Sequence, residues 1–296
     1  MLRQRLIAAA ALVAVAGCGA GAKRHAAADP PATPSCPQAG TSDVDGGHMR
    51  VPVGARPGAT PLIVVVVPGG GGDRTDRLGV AAAATRQGFA VLYPTSGDGF
   101  WALNDEQGTA DVDAVGDLLD RTVAGGCFDA KRISITGVSN GAGFAARMAC
   151  ALPGRFAAVV PVAAGYRALD PCPATARMSF LDIHGTADTV VPYNGKRPDR
   201  AGSVPRYTAS WARRDGCAAG PVQTTPRRLV TRVRYRGCAA GLRVERLRLS
   251  GTDHGWPGAG PPLPAPRGRP PYGLRPNPSH VSATRELLRF VATAHR

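Results

Sequence analysis

Short all-apolar runs alternate with longer amphipathic stretches along most of the chain. Residues 62–67 are six aliphatic residues in succession, four of them valine, and a run apolar on both faces fits a central strand. Further strands are predicted over 48–53, 89–93, 133–136, 157–162, 179–183 and 244–249. Helices are predicted over 77–87, 109–123, 141–150, 204–214 and 282–294, the last with Leu287, Leu288, Phe290 and Val291 as its apolar positions. Strand and helix in alternation predict an α/β fold, with a mostly parallel central sheet and helices on both faces. Residues 255–278 are dense in Pro and Gly and read as a long loop. Two readings stand for it: a wall of a substrate mouth, or a surface insertion without a role.

The first residues differ from the rest. Arg3 and Arg5 precede an apolar stretch over 6–16 that is too short for a membrane span. It ends Val15-Ala16-Gly17-Cys18, which resembles a bacterial lipobox, where the cysteine is lipidated and becomes the mature N-terminus. Residues 1–17 are therefore expected to be a lipoprotein signal peptide, with Cys18 anchoring the chain on the extracytoplasmic face of the membrane. A plain secretory signal cleaved nearby is the alternative, and both predict export. Residues 18–40, rich in Ala, Pro and Gly, read as a flexible tether, and 41–296 as one catalytic domain.

Charge and cysteine refine this. The formal net charge is +15, with arginine concentrated over 197–248. Nucleic acid is not the expected partner, because export is predicted and no binding motif is present. A basic face toward anionic lipid or cell-wall polymer is one reading, and an Ala/Arg/Pro-rich composition without a partner is the other. Besides Cys18 there are six cysteines, Cys36, Cys127, Cys150, Cys172, Cys217 and Cys238. An even number in an exported chain predicts disulfides, though six allow fifteen pairings. No close Cys or His spacing suits a metal, and no cofactor is implied. No oligomeric state follows from the pattern.

Between the predicted strand at 133–136 and the helix after it stands Gly137-Val138-Ser139-Asn140-Gly141. A G-x-S-x-G turn in that context holds a serine hydroxyl exposed over a sheet edge, with glycines where the turn is too tight for Cβ atoms. Ser139 is the expected nucleophile. The loop after 179–183 carries Asp188, placed to accept the Nδ1 proton of an imidazole. The loop after 244–249 carries His254, the only histidine on a loop following both partners, and it is the expected base. His184, at a strand end beside Asp188, reads as a structural hydrogen-bonder, and Asp182 is set aside as strand interior. An oxyanion hole needs two N–H donors. The Asn140 amide is expected to give one and Gly70, in Pro68-Gly69-Gly70-Gly71-Gly72-Asp73, the other, with Gly69 in reserve. Trp101, Tyr193 and Trp256 read as either substrate-pocket or packing residues.

Several segments together resemble the secreted esterases known as polyhydroxybutyrate depolymerases and feruloyl esterases, which are related to carbohydrate esterases and have the α/β-hydrolase fold. They are Thr136–Gly141, His184-Gly185-Thr186-Ala187-Asp188 with Val191-Pro192-Tyr193, Trp211–Cys217, and Asp253-His254-Gly255-Trp256-Pro257-Gly258. The resemblance covers residues 49–296. It implies a Ser139–His254–Asp188 triad and an ester substrate of polyhydroxyalkanoate, feruloyl, acetyl or short acyl type. It also implies a Cys217–Cys238 bridge; the pairing of the other four stays open, with Cys150–Cys172 and Cys36–Cys127 as one arrangement. One departure is Pro68-Gly69, where the family usually has His-Gly; proline has no N–H to give. Two other functions share these features: a serine peptidase of prolyl-oligopeptidase type, and an inactive hydrolase-fold lipoprotein that binds without catalysis.

Overall fold

A computed structural model of the chain describes residues 34–97, 99–166, 172–195, 202–259 and 277–296. The expected signal peptide, Cys18 and most of the tether lie outside the described residues, as does most of the 255–278 loop.

Among the described residues ten strands make one sheet: β1 (Gly40–Val44), β2 (Gly47–Val51), β3 (Thr60–Val66), β4 (Ala90–Pro94), β5 (Phe128–Val138), β6 (Ala158–Val162), β7 (Ser179–Gly185), β8 (Ala219–Arg227), β9 (Val230–Arg236) and β10 (Val244–Leu249). Their order is β1-β2-β4-β3-β5-β6-β7-β10-β9-β8. The pairs from β4 to β10 are parallel, and both ends of the sheet are antiparallel. This is the α/β sheet that the alternation predicts.

All seven residues of β3 are buried, because helices cover both of its faces. Leu62, Val64 and Val66 join the core under α2 (Ala110–Ala124), α3 (Asn140–Ala151) and α4 (Val204–Arg214). Ile63, Val65 and Val67 join the core under α1 (Val80–Thr85) and α5 (Ala283–Val291). The period of two thus divides one aliphatic run between two cores. Helix α3 is Gly- and Ala-rich and buried almost all round, which lets it lie close on the sheet.

The edges depart from the expectation. β1, β8 and β9 were not among the predicted strands, and β8 and β9 form a hairpin added to β10. Val230 and Val233 bury only part of β9, and the rest is Thr, Arg and Tyr. β9 lies between β10 and β8, and the arginine and threonine along it erase the apolar pattern that marks a strand. The expected tether also ends earlier than residue 40. Ser35 N–H donates to Gly125 O at 3.3 Å, Cys36 is bonded to Cys127, and β1 begins at Gly40. The other bridges are Cys150–Cys172 and Cys217–Cys238.

Candidate active site

Ser139 sits alone between the end of β5 and the start of α3 with φ 55° and ψ −122°. A non-glycine residue at positive φ stores roughly 1–3 kcal/mol and persists only where its surroundings hold it. They hold it tightly here. A Cβ on Gly137 would lie 2.5 Å from Val66 O and 2.6 Å from Gly141 O, and one on Gly141 would run into the Val66 carbonyl. Two glycines thus let helix, turn and β3 meet. Ser139 N–H donates to Val162 O, and Ser139 O accepts from Gly143 N–H, each at 3.0 Å.

The loops after β7 and β10 are laced together. Thr186 N–H donates to Leu249 O at 2.9 Å and Ala187 N–H to Thr252 O at 3.1 Å. Thr189 gives its N–H and its hydroxyl to Asp253 Oδ1, at 3.0 and 3.1 Å. β7 and β10 are parallel neighbours, so both loops leave the same sheet edge. That edge is also where Ser139 stands, because β5, β6 and β7 run parallel.

The result is a continuous hydrogen-bonded line. His254 Nε2 lies 2.8 Å from Ser139 Oγ, and His254 Nδ1 lies 2.9 Å from Asp188 Oδ2. The Oδ1 atom of Asp188 accepts from Val190 N–H at 3.0 Å and Val191 N–H at 2.6 Å. Burial alone would push the Asp188 carboxyl up, but hydrogen bonds with His184 and His254 outweigh it and hold the group well below the usual carboxylate range. An ionised carboxylate at Nδ1 keeps the imidazole proton there and leaves the Nε2 lone pair facing the serine hydroxyl. Such a line can take a proton from an alcohol and return it to a leaving group.

Asn140 is the first residue of α3, so its N–H is a first-turn donor without an intrahelical acceptor. Its side chain is committed elsewhere: Oδ1 accepts from Trp101 N–H and Nδ2 donates to Trp101 O, each at 3.0 Å. Gly70, at φ 65°, accepts from Ser96 N–H at 2.9 Å and abuts Ser96 so closely that a Cβ would lie 2.8 Å from the Ser96 Cβ. The far end of this glycine run is fixed by Asp73, whose carboxylate accepts from Arg77 N–H and Leu78 N–H, both at 2.9 Å.

The three aromatic residues resolve toward packing. Trp101 is 2% exposed; its indole donates to Val67 O at 2.8 Å and stacks on Phe144. Trp256 is 5% exposed, donates to Thr284 Oγ1 at 2.9 Å and belongs to the core under α5. Tyr193, 7% exposed, packs edge-on against His184 with Arg246 over its ring. None presents a face to solvent, and their sequence positions beside catalytic segments carry no information on which way a ring turns.

Sequence reasoning passed over Asp182. It and His184 are two residues apart in β7, so both side chains leave the same face of the strand. His184 Nε2 lies 2.9 Å from Val191 O and 3.2 Å from Asp188 Oδ2, and its Nδ1 lies 3.9 Å from Asp182 Oδ1. The Tyr166 hydroxyl donates to Asp182 Oδ2. Burial pushes the Asp182 carboxyl up to about 6, against the opposing pull of His184, Tyr166 and Arg246. Two titratable residues spaced i, i+2 in an otherwise apolar strand were the available signal.

Comparison with known proteins places this geometry. Residues 48–191, which include Ser139 and Asp188, match the family model described as esterase PHB depolymerase. The chain is 28% identical over 155 residues to feruloyl esterase B of Piromyces equi, covering 49% of this chain and 28% of that protein. It is 26% identical over 174 residues to a bifunctional acetylxylan esterase/xylanase of Neocallimastix patriciarum, covering 58% of this chain and 25% of that protein. The chain thus spans about a quarter of the length of these two curated relatives. In three dimensions it is similar to the acetyl xylan esterase from Aspergillus awamori, with a TM-score of 0.54 and 18% identity over 70% of this chain and 88% of that one. That likeness gives the α/β-hydrolase fold, and the sequence match is to the esterase PHB depolymerase family over residues 48–191.

Proposed function

We propose that this chain is an exported serine esterase that hydrolyses carboxylic esters through an acyl-enzyme. One observation carries the reading: Ser139 Oγ, on a left-handed turn between strand and helix, lies 2.8 Å from His254 Nε2, whose other nitrogen rests on Asp188. In the proposed cycle His254 takes the hydroxyl proton as Ser139 attacks the ester carbonyl. Asp188 stabilises the imidazolium that forms. The N–H groups of Asn140 and Gly70 take the developing oxyanion, a contribution worth roughly 3–4 kcal/mol per donor in enzymes of this kind. The imidazolium gives its proton to the departing alkoxide. Water, deprotonated by the same imidazole, then attacks the Ser139 ester and releases the acid.

The names of the relatives, together with the family match, support an acyl group of feruloyl, acetyl or hydroxyalkanoate kind. Export is supported by the leader-like first residues and by the three disulfides. We place the lipid on Cys18, with residues 1–17 removed, 18–33 as the tether and 34–296 as the catalytic domain.

The test is a panel of feruloyl, acetyl, short acyl and hydroxybutyrate esters turned over by wild type and Ser139→Ala in parallel, with aminoacyl anilides beside them. Turnover of esters that Ser139→Ala abolishes, with little of the anilides, is the expected result. Ester turnover that survives the substitution overturns the assignment of Ser139. Metabolic labelling with a radioactive fatty acid, lost in Cys18→Ser, tests the anchor.

A further inference from the structure

Asp188 is shared by two imidazoles, and only one of them is needed to move the serine proton. Its Oδ2 atom takes His254 Nδ1 at 2.9 Å and His184 Nε2 at 3.2 Å. The polar contacts of the two His184 nitrogens are with acceptors. Nε2 faces Val191 O and the Asp188 carboxylate, and Nδ1 faces the Asp182 carboxyl 3.9 Å away. A carbonyl and a carboxylate cannot donate, so the Nε2 proton is fixed in either charge state. Neither Nδ1 of His184 nor Oδ1 of Asp182 has a hydrogen-bond partner among the described residues. Both side chains are fully buried, which makes a charge on either one costly without the other.

We propose that His184, held between Asp182 and Asp188, is a positioning residue whose charge sets the pH at which His254 serves as base. This rests on the esterase reading above. The charged and titratable groups packed around His184 are Asp182 on its own strand, Asp188 on the following loop and His254 from the loop after β10. β10 adds Arg246 and Arg248, in register with Asp182 and His184. Tyr193 packs edge-on, and Tyr166 reaches Asp182 while stacking on Tyr207 of α4.

Burial alone would lower the His184 imidazole, but its hydrogen bond with Asp188 and the charges of Asp182 and Asp188 outweigh it and raise the group. In the proposal His184 carries its charge beside the two carboxylates that flank it. A positive charge on the far side of Asp188 weakens the hold of that carboxylate on the His254 proton, so His254 becomes neutral, and competent as base, at a lower pH. Removing the charge reverses this. His184→Gln keeps a donor toward Asp188 but is neutral. Asp182→Asn keeps a partner for Tyr166 but removes the carboxylate that favours charged His184.

The test follows the imidazole nitrogens of His184 and His254 by NMR, and the pH dependence of kcat/KM, in wild type, His184→Gln and Asp182→Asn. In wild type at about pH 6.5 both His184 nitrogens should be protonated. In both variants the His254 titration and the acid limb of kcat/KM should move up by about one unit, a roughly tenfold loss at about pH 6 that recovers at about pH 9. A wild-type His184 with a bare Nδ1 overturns the proposal, and so does a uniform loss of activity with the limb unmoved, which a purely structural role would give. Should neither variant fold, the wild-type His184 nitrogens decide. Failure of the esterase reading looks different: no Ser139-dependent turnover in wild type, while the NMR titrations still report on the His184 charge.

Discussion

The carbonyl oxygen of Thr252 sits against the α-carbon of Gly185, in the space that a side chain on Gly185 would fill. Gly185 ends the strand before Asp188 and Thr252 stands two residues before His254, so this contact sets how near acid and base can come. Gly185→Ala forces the loops apart. We expect a loss of about 2 kcal/mol or more in stability and of about a hundredfold in kcat/KM, since a shift near 1 Å at a reacting group suffices for the latter. Denaturant unfolding and ester turnover measure the two, and an active Gly185→Ala enzyme would refute the claim that this contact fixes the pair.

The backbone of Ser139 predicts a difference in stability between two inactive variants. Its φ of 55° with ψ of −122° is a conformation that glycine adopts freely and alanine does not. Ser139→Ala and Ser139→Gly lose the same hydroxyl and both should be inactive. The glycine variant also sheds the strain, less the greater entropy of its unfolded chain, and should be more stable than the alanine variant by roughly 1 kcal/mol. Thermal unfolding of the two side by side is the comparison, and equal melting would mean that the turn holds no strain.

How much could be read in the chain follows from where the information lies. The central strands and the Ser139 turn are legible because burial on both faces leaves unbroken aliphatic runs, and because close backbone approach demands glycine at 137 and 141. The β8–β9 hairpin is not, since its strands face solvent with arginine and threonine and take their place by pairing with β10. Trp101 and Trp256 show a second gap. Which core an indole enters depends on partners far along the chain, Phe144 in one case and Thr284 in the other. Asp182 was hidden for the same reason: its meaning comes from Tyr166 and Arg246, which only the assembled sheet brings near.

Asp215 makes stability depend on pH. It follows α4, and its carboxyl is buried. Burial raises this carboxyl to about 7, opposed only in part by a hydrogen bond from the Met178 backbone and by the charges of Arg214 and Arg177. A carboxyl raised on folding binds its proton more tightly when folded. Its contribution is therefore fully present below the unfolded value of about 4, and is lost as pH rises to about 7, by up to about 4 kcal/mol. Asp215→Asn removes the ionisation. It should unfold at higher denaturant than wild type at about pH 8, and the gap should close or reverse at about pH 5. A gap that does not change with pH would show that Asp215 is not the group responsible.

Arg232 ties the edge hairpin to the last helix. Its guanidinium lies 2.5 Å from Glu245 on β10 and 2.5 Å from Glu286 on α5. Arg232 is 13% exposed in its side chain, and the two glutamates 8% and 6%. Desolvating three charges gains little overall, but removing the shared cation leaves two buried carboxylates facing each other. Arg234, at 3.3 Å from Glu245, and Arg289, at 3.5 Å from Glu286, are more exposed and compensate in part. Arg232→Met should therefore destabilise by about 3 kcal/mol, the lower end for breaking a buried ion pair. Adding Glu245→Gln and Glu286→Gln removes the stranded charges and should recover much of that loss. Equilibrium unfolding of wild type, the single and the triple variant separates lost charge pairing from lost packing: a triple variant no more stable than Arg232→Met would assign the loss to the arginine's contacts instead.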